Sequence, residues 1–202
     1  TGSITVDGNK RTNGSETLTF KNINFVIEGD YDKGIEANNQ AHNITVDGCT
    51  FTGEGYNDYG MSLRYVKNVV VKNTTANGMF DLVYGNSSFT GFTAVNVEVT
   101  DSTNGIWLSY VNSTATFKNV TTDVESAGVG IFNGASGKVV IAADCHIDCV
   151  EYAQYDTSTY KSTIEFQGMS NTLVVGDKFD KLTVVLTQAG ATLVADEAVN
   201  VT

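Results

Sequence analysis

Val69-Val70-Val71-Lys72-Asn73-Thr74-Thr75-Ala76 decides the fold, because its pattern returns as Phe92-Thr93-Ala94-Val95-Asn96-Val97-Glu98-Val99 and again as Ala115-Thr116-Phe117-Lys118-Asn119-Val120-Thr121-Thr122. Each copy alternates apolar and polar residues, as a strand with one buried face does. Each then places an Asn and starts a second alternating run. Upstream, Leu18 to Phe25 and Ile44 to Phe51 have the same form, with Asn22 and Gly48 in the slot. Downstream, looser copies at Val139 to Ile147 and Ile164 to Met169 carry the slot to Ala143 or Asp144, and then to Gly168. Successive slots lie 26, 25, 23, 23, about 24 and about 24 residues apart. Asn and Gly share access to the left-handed backbone region, Gly for want of a Cβ and Asn through local bonding of its amide. One such residue between two strand-like runs bends the chain while both apolar faces stay inward. Repeated at this interval it predicts a coil, since a hairpin meander would show turn signals every 8–12 residues.

A second column supports the period. Gly34-Ile35-Glu36-Ala37, Gly60-Met61-Ser62-Leu63, Asp81-Leu82-Val83-Tyr84, Gly105-Ile106-Trp107-Leu108 and Gly128-Val129-Gly130-Ile131 recur at intervals of 26, 21, 24 and 23. Each coil of about 24 residues is therefore expected to hold three short strands, over about seven coils. No stretch shows sustained 3.6-residue amphipathic spacing, so almost no helix is expected. The absence of proline fits a chain whose backbone N–H groups are nearly all used in sheet ladders. Three inward columns follow. One is Leu18, Ile44, Val69, Phe92, Ala115, Val139 and Ile164; another is Phe20, Val46, Val71, Ala94, Phe117, Ile141 and Phe166. The third is Ile23, Cys49, Thr74, Val97, Val120 and Cys145, which makes two of the three cysteines core residues too far apart for a disulfide. Cys145 and Cys149 are the one pair with the reach to bridge.

These features resemble the right-handed parallel β-helix, the solenoid of pectate lyases, tailspikes and many bacterial surface proteins. In that fold an asparagine ladder stacks at one turn; Asn22, Asn73, Asn96 and Asn119 match it, with Gly48 and Gly168 as left-handed-compatible interruptions. The wording Phe20-Lys21-Asn22-Ile23-Asn24-Phe25 and Asn43 to Phe51 is similar to the generic repeats of secreted or wall-attached bacterial β-helix proteins. The resemblance spans residues 17 to about 168 and implies an all-β, pectate-lyase-like fold; right-handedness agrees with the crossover rule for parallel strands. One domain is expected over 1–202, with a capping strand or partial coil at 1–16, regular coils at 17–170, and a last wide coil and cap at 171–202. The chain opens mid-pattern at Ser3-Ile4-Thr5-Val6, which reads as a module excised from a larger protein with further domains.

Charge and composition exclude some functions. Twelve basic residues against 23 acidic ones, net −11, cannot build a phosphate-neutralising surface, so no nucleic-acid partner is expected. No run approaches 18 apolar residues, so no direct membrane insertion by a helix is expected. Cys145-x3-Cys149 with His146 between lacks the second pair a tetrahedral metal site needs. Seven Asn-x-Ser/Thr sequons arise from composition, and two of them, at Asn73 and Asn119, belong to the ladder.

The outward positions of the Gly-Ile column are where a reactive or binding surface would lie. One row reads Glu36, Ser62, Val83, Trp107 and Gly130; the next reads Asn38, Arg64, Gly85, Ser109 and Phe132. Were the chain an enzyme, Glu36, Arg64 and Asp81 are the candidate catalytic groups: a lyase needs a base beside clustered carboxylates, and a glycosidase needs paired carboxyls. A surface ion-pair row is the alternative reading of the same three charges. Trp107, the sole tryptophan, with Tyr65, Tyr84, Tyr110 and Phe132 on the same or neighbouring strands, forms a candidate aromatic strip for sugar faces or a protein partner, and the Tyr56–Tyr59 loop is placed to fold over it. Trp107 packed beneath that loop is the structural alternative. Acidic loops follow the third strand, and Glu28, Asp30 and Asp32 are the candidate Ca²⁺ ligands, against a solvated acidic edge. No cofactor is otherwise expected. The expectation is a non-catalytic adhesion module, extracellular and secreted or surface-anchored, presenting its side to a glycan or host surface protein. A polysaccharide lyase or glycoside hydrolase is the alternative, and a structural spacer or tailspike segment the second alternative.

Overall fold

A computed structural model of the chain describes residues 3–7, 17–38, 43–54, 57–86, 89–109, 111–132, 137–153, 162–167, 172–175, 182–186 and 192–193. Every strand pairing among them is parallel, and they contain no helix. One sheet stacks β1 (Ile4–Asp7), β4 (Lys33–Asn38), β7 (Tyr59–Leu63), β9 (Asp81–Gly85), β11 (Ile106–Ser109), β13 (Val129–Phe132), β15 (Val150–Ala153), β17 (Thr172–Val175) and β19 (Thr192–Leu193) in that order. The other stacks β2 (Thr17–Lys21), β5 (Asn43–Asp47), β8 (Asn68–Asn77), β10 (Phe89–Ser102), β12 (Val111–Val124), β14 (Lys138–Ile141), β16 (Ser162–Phe166) and β18 (Leu182–Leu186). β3 (Asn24–Val26) and β6 (Thr50–Thr52) flank this second sheet, with β6 passing its ladder on to β8. The chain alternates between the sheets and advances one rung per circuit. This is a parallel β-solenoid, or β-helix.

The slot residues make the corner as their chemistry requires. Asn22, Asn73, Asn96 and Asn119 have φ of 55°, 50°, 54° and 47°, and Gly48 has 64°. The Asn96 amide donates to Asn73 Oδ1 at 2.9 Å, and Asn119 donates to Asn96 Oδ1 at 2.9 Å. At Gly48 the ladder steps aside: Asn73 donates instead to Asp47 Oδ1 at 2.9 Å. A Cβ on Gly48 would lie 2.6 Å from Asn22 Oδ1, so glycine leaves room for the side chain stacked on it. In β8, β10 and β12 the ladder runs on through the corner, which joins the expected second and third strands into one bent strand.

The third run is present in five coils, those turning at Asn22, Gly48, Asn73, Asn96 and Asn119, so seven three-strand coils are too many. In the sixth it shrinks to one bridge, Thr121 to His146. Asn119 is the last non-glycine left-handed residue described. The next coil turns through Ala142–Cys145, where the Cys145 N–H reaches the Ala142 carbonyl at 3.2 Å. That β-turn spends residues that a single left-handed Asn would leave for the strand. Gly168 lies outside the described residues, as do most of 1–16 and much of 171–202; the strands described near the ends extend the two sheets.

All three inward columns form. Leu18, Ile44, Val69, Phe92, Ala115, Val139 and Ile164 pair in sequence across seven rungs, as do Phe20 through Phe166. In the third, Thr74 settles its inward hydroxyl on the Lys72 carbonyl at 2.9 Å, while Cys49 and Cys145 pack as small apolar residues. No cysteine forms a disulfide. Further around the coil, Phe25 and Phe51 stack with centroids 4.6 Å apart and planes 4° from parallel, an arrangement worth about 0.5–1.5 kcal/mol beyond burial.

The first sheet departs from its expected register at one coil. Tyr59 pairs with Asp81 and Met61 with Val83, which puts Leu82, not Asp81, in the glycine column. Val83 and Gly85 therefore face inward and are buried, whereas Tyr84 and Asn86 take the outward places assigned to them. A one-residue slip exchanges the faces of a strand. The 21-residue interval was the trace of that slip; on Leu82 the intervals become 26, 22, 23 and 23.

The corner yields a prediction. Asn96→Ala should lower stability in urea by about 2–3 kcal/mol, since it loses two side-chain hydrogen bonds and forces a Cβ-bearing residue without a local amide into the left-handed region. Asn96→Gly should cost about 1 kcal/mol less, because the backbone term vanishes. Equal losses for the two variants would show that the backbone conformation of the corner is not what the asparagine supplies.

Candidate functional site

The outward side of the first sheet collects the residues able to meet a ligand. Its register aligns Glu36, Ser62, Tyr84, Trp107, Gly130 and Glu151 in one row across six coils. Beside it lie Asn38, Arg64, Asn86 and Ser109, and the backbone of Phe132 pairs with that of Ser109. Where the first three of these coils meet, a cleft of about 340 Å³ opens between Lys33, Glu36, Tyr59, Arg64, Tyr84 and the amides of Asn38 and Asn86.

The charges in the cleft are arranged to stay charged. Lys33 Nζ lies 2.8 Å from Glu36 Oε1, three residues along the same strand. That hydrogen bond is the main force holding the Glu36 carboxyl below its ordinary range, with burial opposing and the charge of Lys33, an Asn38 hydrogen bond and Arg64 assisting. Arg64 is exposed at the rim. A carboxylate tied in this way is a poor general acid at neutral pH.

Asp81 does not join them. It is 1% exposed, with one carboxyl oxygen lacking any hydrogen-bond partner, and sits at the start of β9. Burial pushes it up to about 7, offset in part by the Asn104 amide. Asn104 Oδ1 accepts the Ala127 N–H at 3.3 Å, so the buried polar groups run Asp81, Asn104, Ala127 across successive coils. The three candidate catalytic groups thus divide: Glu36 and Arg64 share the cleft, and Asp81 lies out of its reach. Asp81 reads as outward in sequence because the eye aligns it with the glycines; its burial follows from the slipped register.

The aromatic strip assembles in part. Tyr59, at the start of β7, reaches the cleft with its ring 5.2 Å from Tyr84 and 5.6 Å from Phe80. Trp107 follows Tyr84 in register and is half-buried. Its indole occupies the space above Gly130, where a Cβ would meet Trp107 Cε3 at 2.6 Å. Tyr65, with φ of 52° and 53% exposed, stands on the turn after β7. Tyr110 and Tyr56 lie outside the described residues. Glu151, which sequence reasoning passed over, ends the row half-buried, and burial raises its pKa. Lys33 and Asn86 were also missed, the first although its spacing to Glu36 signals a pair, the second because of the slip.

Glu28, Asp30 and Asp32 are exposed on the turn before β4. Among the described residues no three His, Cys, Asp or Glu side chains converge in a way that could hold a metal ion. The arrangement offers a shallow face of aromatic rings, amides and one tethered ion pair, suited to contact and hydrogen bonding. No family model, curated protein or solved structure matches this chain.

The buried acid makes stability depend on pH. Asp81 binds its proton more tightly in the fold than in the unfolded chain, whose carboxyl titrates near its ordinary value of about 3.9. Its stabilising contribution is whole below that value and drains away as pH rises to about 7. A loss on the order of 3–4 kcal/mol is expected between pH 4 and pH 8. Asp81→Asn should flatten this slope and exceed the wild type at pH 8 in chemical denaturation. A variant less stable than wild type at pH 8, with an unchanged slope, would show that Asp81 does not carry it.

Proposed function

We propose that this solenoid is a non-catalytic glycan-binding module of adhesin type, one part of a larger secreted or surface-anchored protein. The observation that carries the reading is the outward row Ser62, Tyr84, Trp107, with the indole laid over Gly130 and Tyr59 beside it. Rings spaced one per rung, about 4.8 Å apart, suit a linear glycan whose sugar faces stack on them while hydroxyls reach Asn38, Asn86 and Ser62. The acidic, proline-free, threonine- and asparagine-rich chain and its likeness to wall-attached β-helix repeats support the extracellular setting.

Against hydrolysis or elimination stands the division of the candidate groups. A glycosidase needs two carboxyls about 5–9.5 Å apart across the bond, whereas the cleft offers only Glu36, already bound to Lys33. A lyase would rest on Arg64, since Lys33 is tied to Glu36.

The test is a glycan array probed with wild type and Trp107→Ala, run beside an ultraviolet assay for unsaturated uronates and a reducing-sugar assay. Binding should occur and fall about tenfold or more in the variant, the loss of roughly 1.4 kcal/mol or more, with no turnover. Turnover that Arg64→Ala abolishes would establish the enzyme instead. Silence throughout would leave a spacer.

A further inference from the structure

Tyr59, which forms one wall of the cleft, is carried by a corner containing two buried acids. Asp58 precedes it in the chain, and Asp81 pairs with it across β7 and β9. They are 2% and 1% exposed, and in each Oδ1 has no hydrogen-bond partner. Asp58 Oδ2 accepts the Glu54 N–H at 3.1 Å, and the Phe80 N–H closes the corner onto the Asp58 carbonyl at 2.8 Å. The site is tight: a Cβ on Gly53 would lie 2.6 Å from Gly78 O, 3.0 Å from Met79 Sδ and 3.2 Å from Asp58 Oδ2. An ionised carboxylate here would keep a desolvated oxygen that nothing satisfies.

Among the described residues no cation offsets either charge. The groups facing Asp58 are Asp30 and Asp32 on the turn before β4 and Glu54 on its own turn, all acidic. Asp81 is faced by Asn104 from the turn before β11 and by Tyr59 from β7, both neutral at physiological pH.

We propose that this corner is an acid-held latch: with Asp81 protonated it stays shut and keeps Tyr59 against Tyr84, and ionisation of Asp81 beside the buried Asp58 opens it and withdraws Tyr59 from the cleft. Burial pushes Asp58 up, opposed by the Glu54 hydrogen bond and aided by the facing acids; burial pushes Asp81 to about 7, which places the ionisation of Asp81 within the neutral range. Favoured ligand binding at acid pH would follow, a consequence that rests on the glycan reading; the latch itself does not.

The test uses the full chain without any glycan, so its failure is separate from a silent array. Hydrogen exchange of the Glu54 and Phe80 amides is followed from about pH 5.5 to pH 8, corrected for intrinsic chemical rates, with amides of β10 and β12 as internal reference. Corner protection should fall about tenfold or more relative to the reference in wild type, and Asp58→Asn/Asp81→Asn should abolish that fall. Corner and reference amides changing in parallel at every pH, or a double variant that keeps the wild-type fall, would overturn the latch. Should the double variant not fold, carbon-13 detection of the wild-type Asp81 carboxyl decides: a midpoint near 7 supports the proposal, and an ordinary carboxylate midpoint near 4 ends it.

Discussion

Everything in this molecule depends on a corner made by one residue. Where Asn22, Gly48, Asn73, Asn96 and Asn119 enter the left-handed region, the chain turns without leaving the hydrogen-bond ladder of its neighbours. A longer turn would free backbone groups that must then find partners. The amides of Asn73, Asn96 and Asn119 stack in turn on one another, so each of these coils fixes the position of the next. From that constraint follow the continuous inward columns and the alignment, rung upon rung, of whatever the outward positions carry.

The candidate binding face is a product of this alignment. Glu36, Tyr84, Trp107 and Glu151 lie far apart in the chain and acquire a common row only because the first sheet keeps parallel register. Gly130 belongs to the face through what it omits, since any larger residue would displace the indole. The costly groups gather nearby: two carboxyls are buried at the corner that positions Tyr59, although the same volume could be filled by apolar side chains at less cost. Such local expense beside the candidate cleft is where function would be expected to shape the fold.

The second sheet was legible residue by residue, because the Asn or Gly slot marks its register chemically: few side chains tolerate that backbone conformation, so the slot cannot slide. The first sheet has no equally strict mark. Glycine sits in its column at positions 34, 60, 105 and 128, but the third coil has Leu82 there, and aligning on Asp81 moved Val83 and Gly85 to the wrong face. For the same reason Tyr84 was placed correctly on the face only as a member of the strip, and Asp81 was assigned to the cleft. Its burial goes with packing against Asn104 from the next coil, which leaves no local pattern. The shortened sixth coil was half legible, since Ala143 and Asp144 stand where Asn was due.

Register is the claim on which fold and face both stand, and paired cysteines measure it directly. Thr93 and Thr116 are adjacent on the outward side of the second sheet, while Thr114 faces Gly91. Adjacent parallel strands place paired Cα atoms at about 4.8 Å, within disulfide range. Under mild oxidation, Thr93→Cys/Thr116→Cys should form an intramolecular disulfide rapidly and Thr93→Cys/Thr114→Cys should not. Efficient bridging of the second pair, with none in the first, would contradict the register of the second sheet and with it the stacking of the coils.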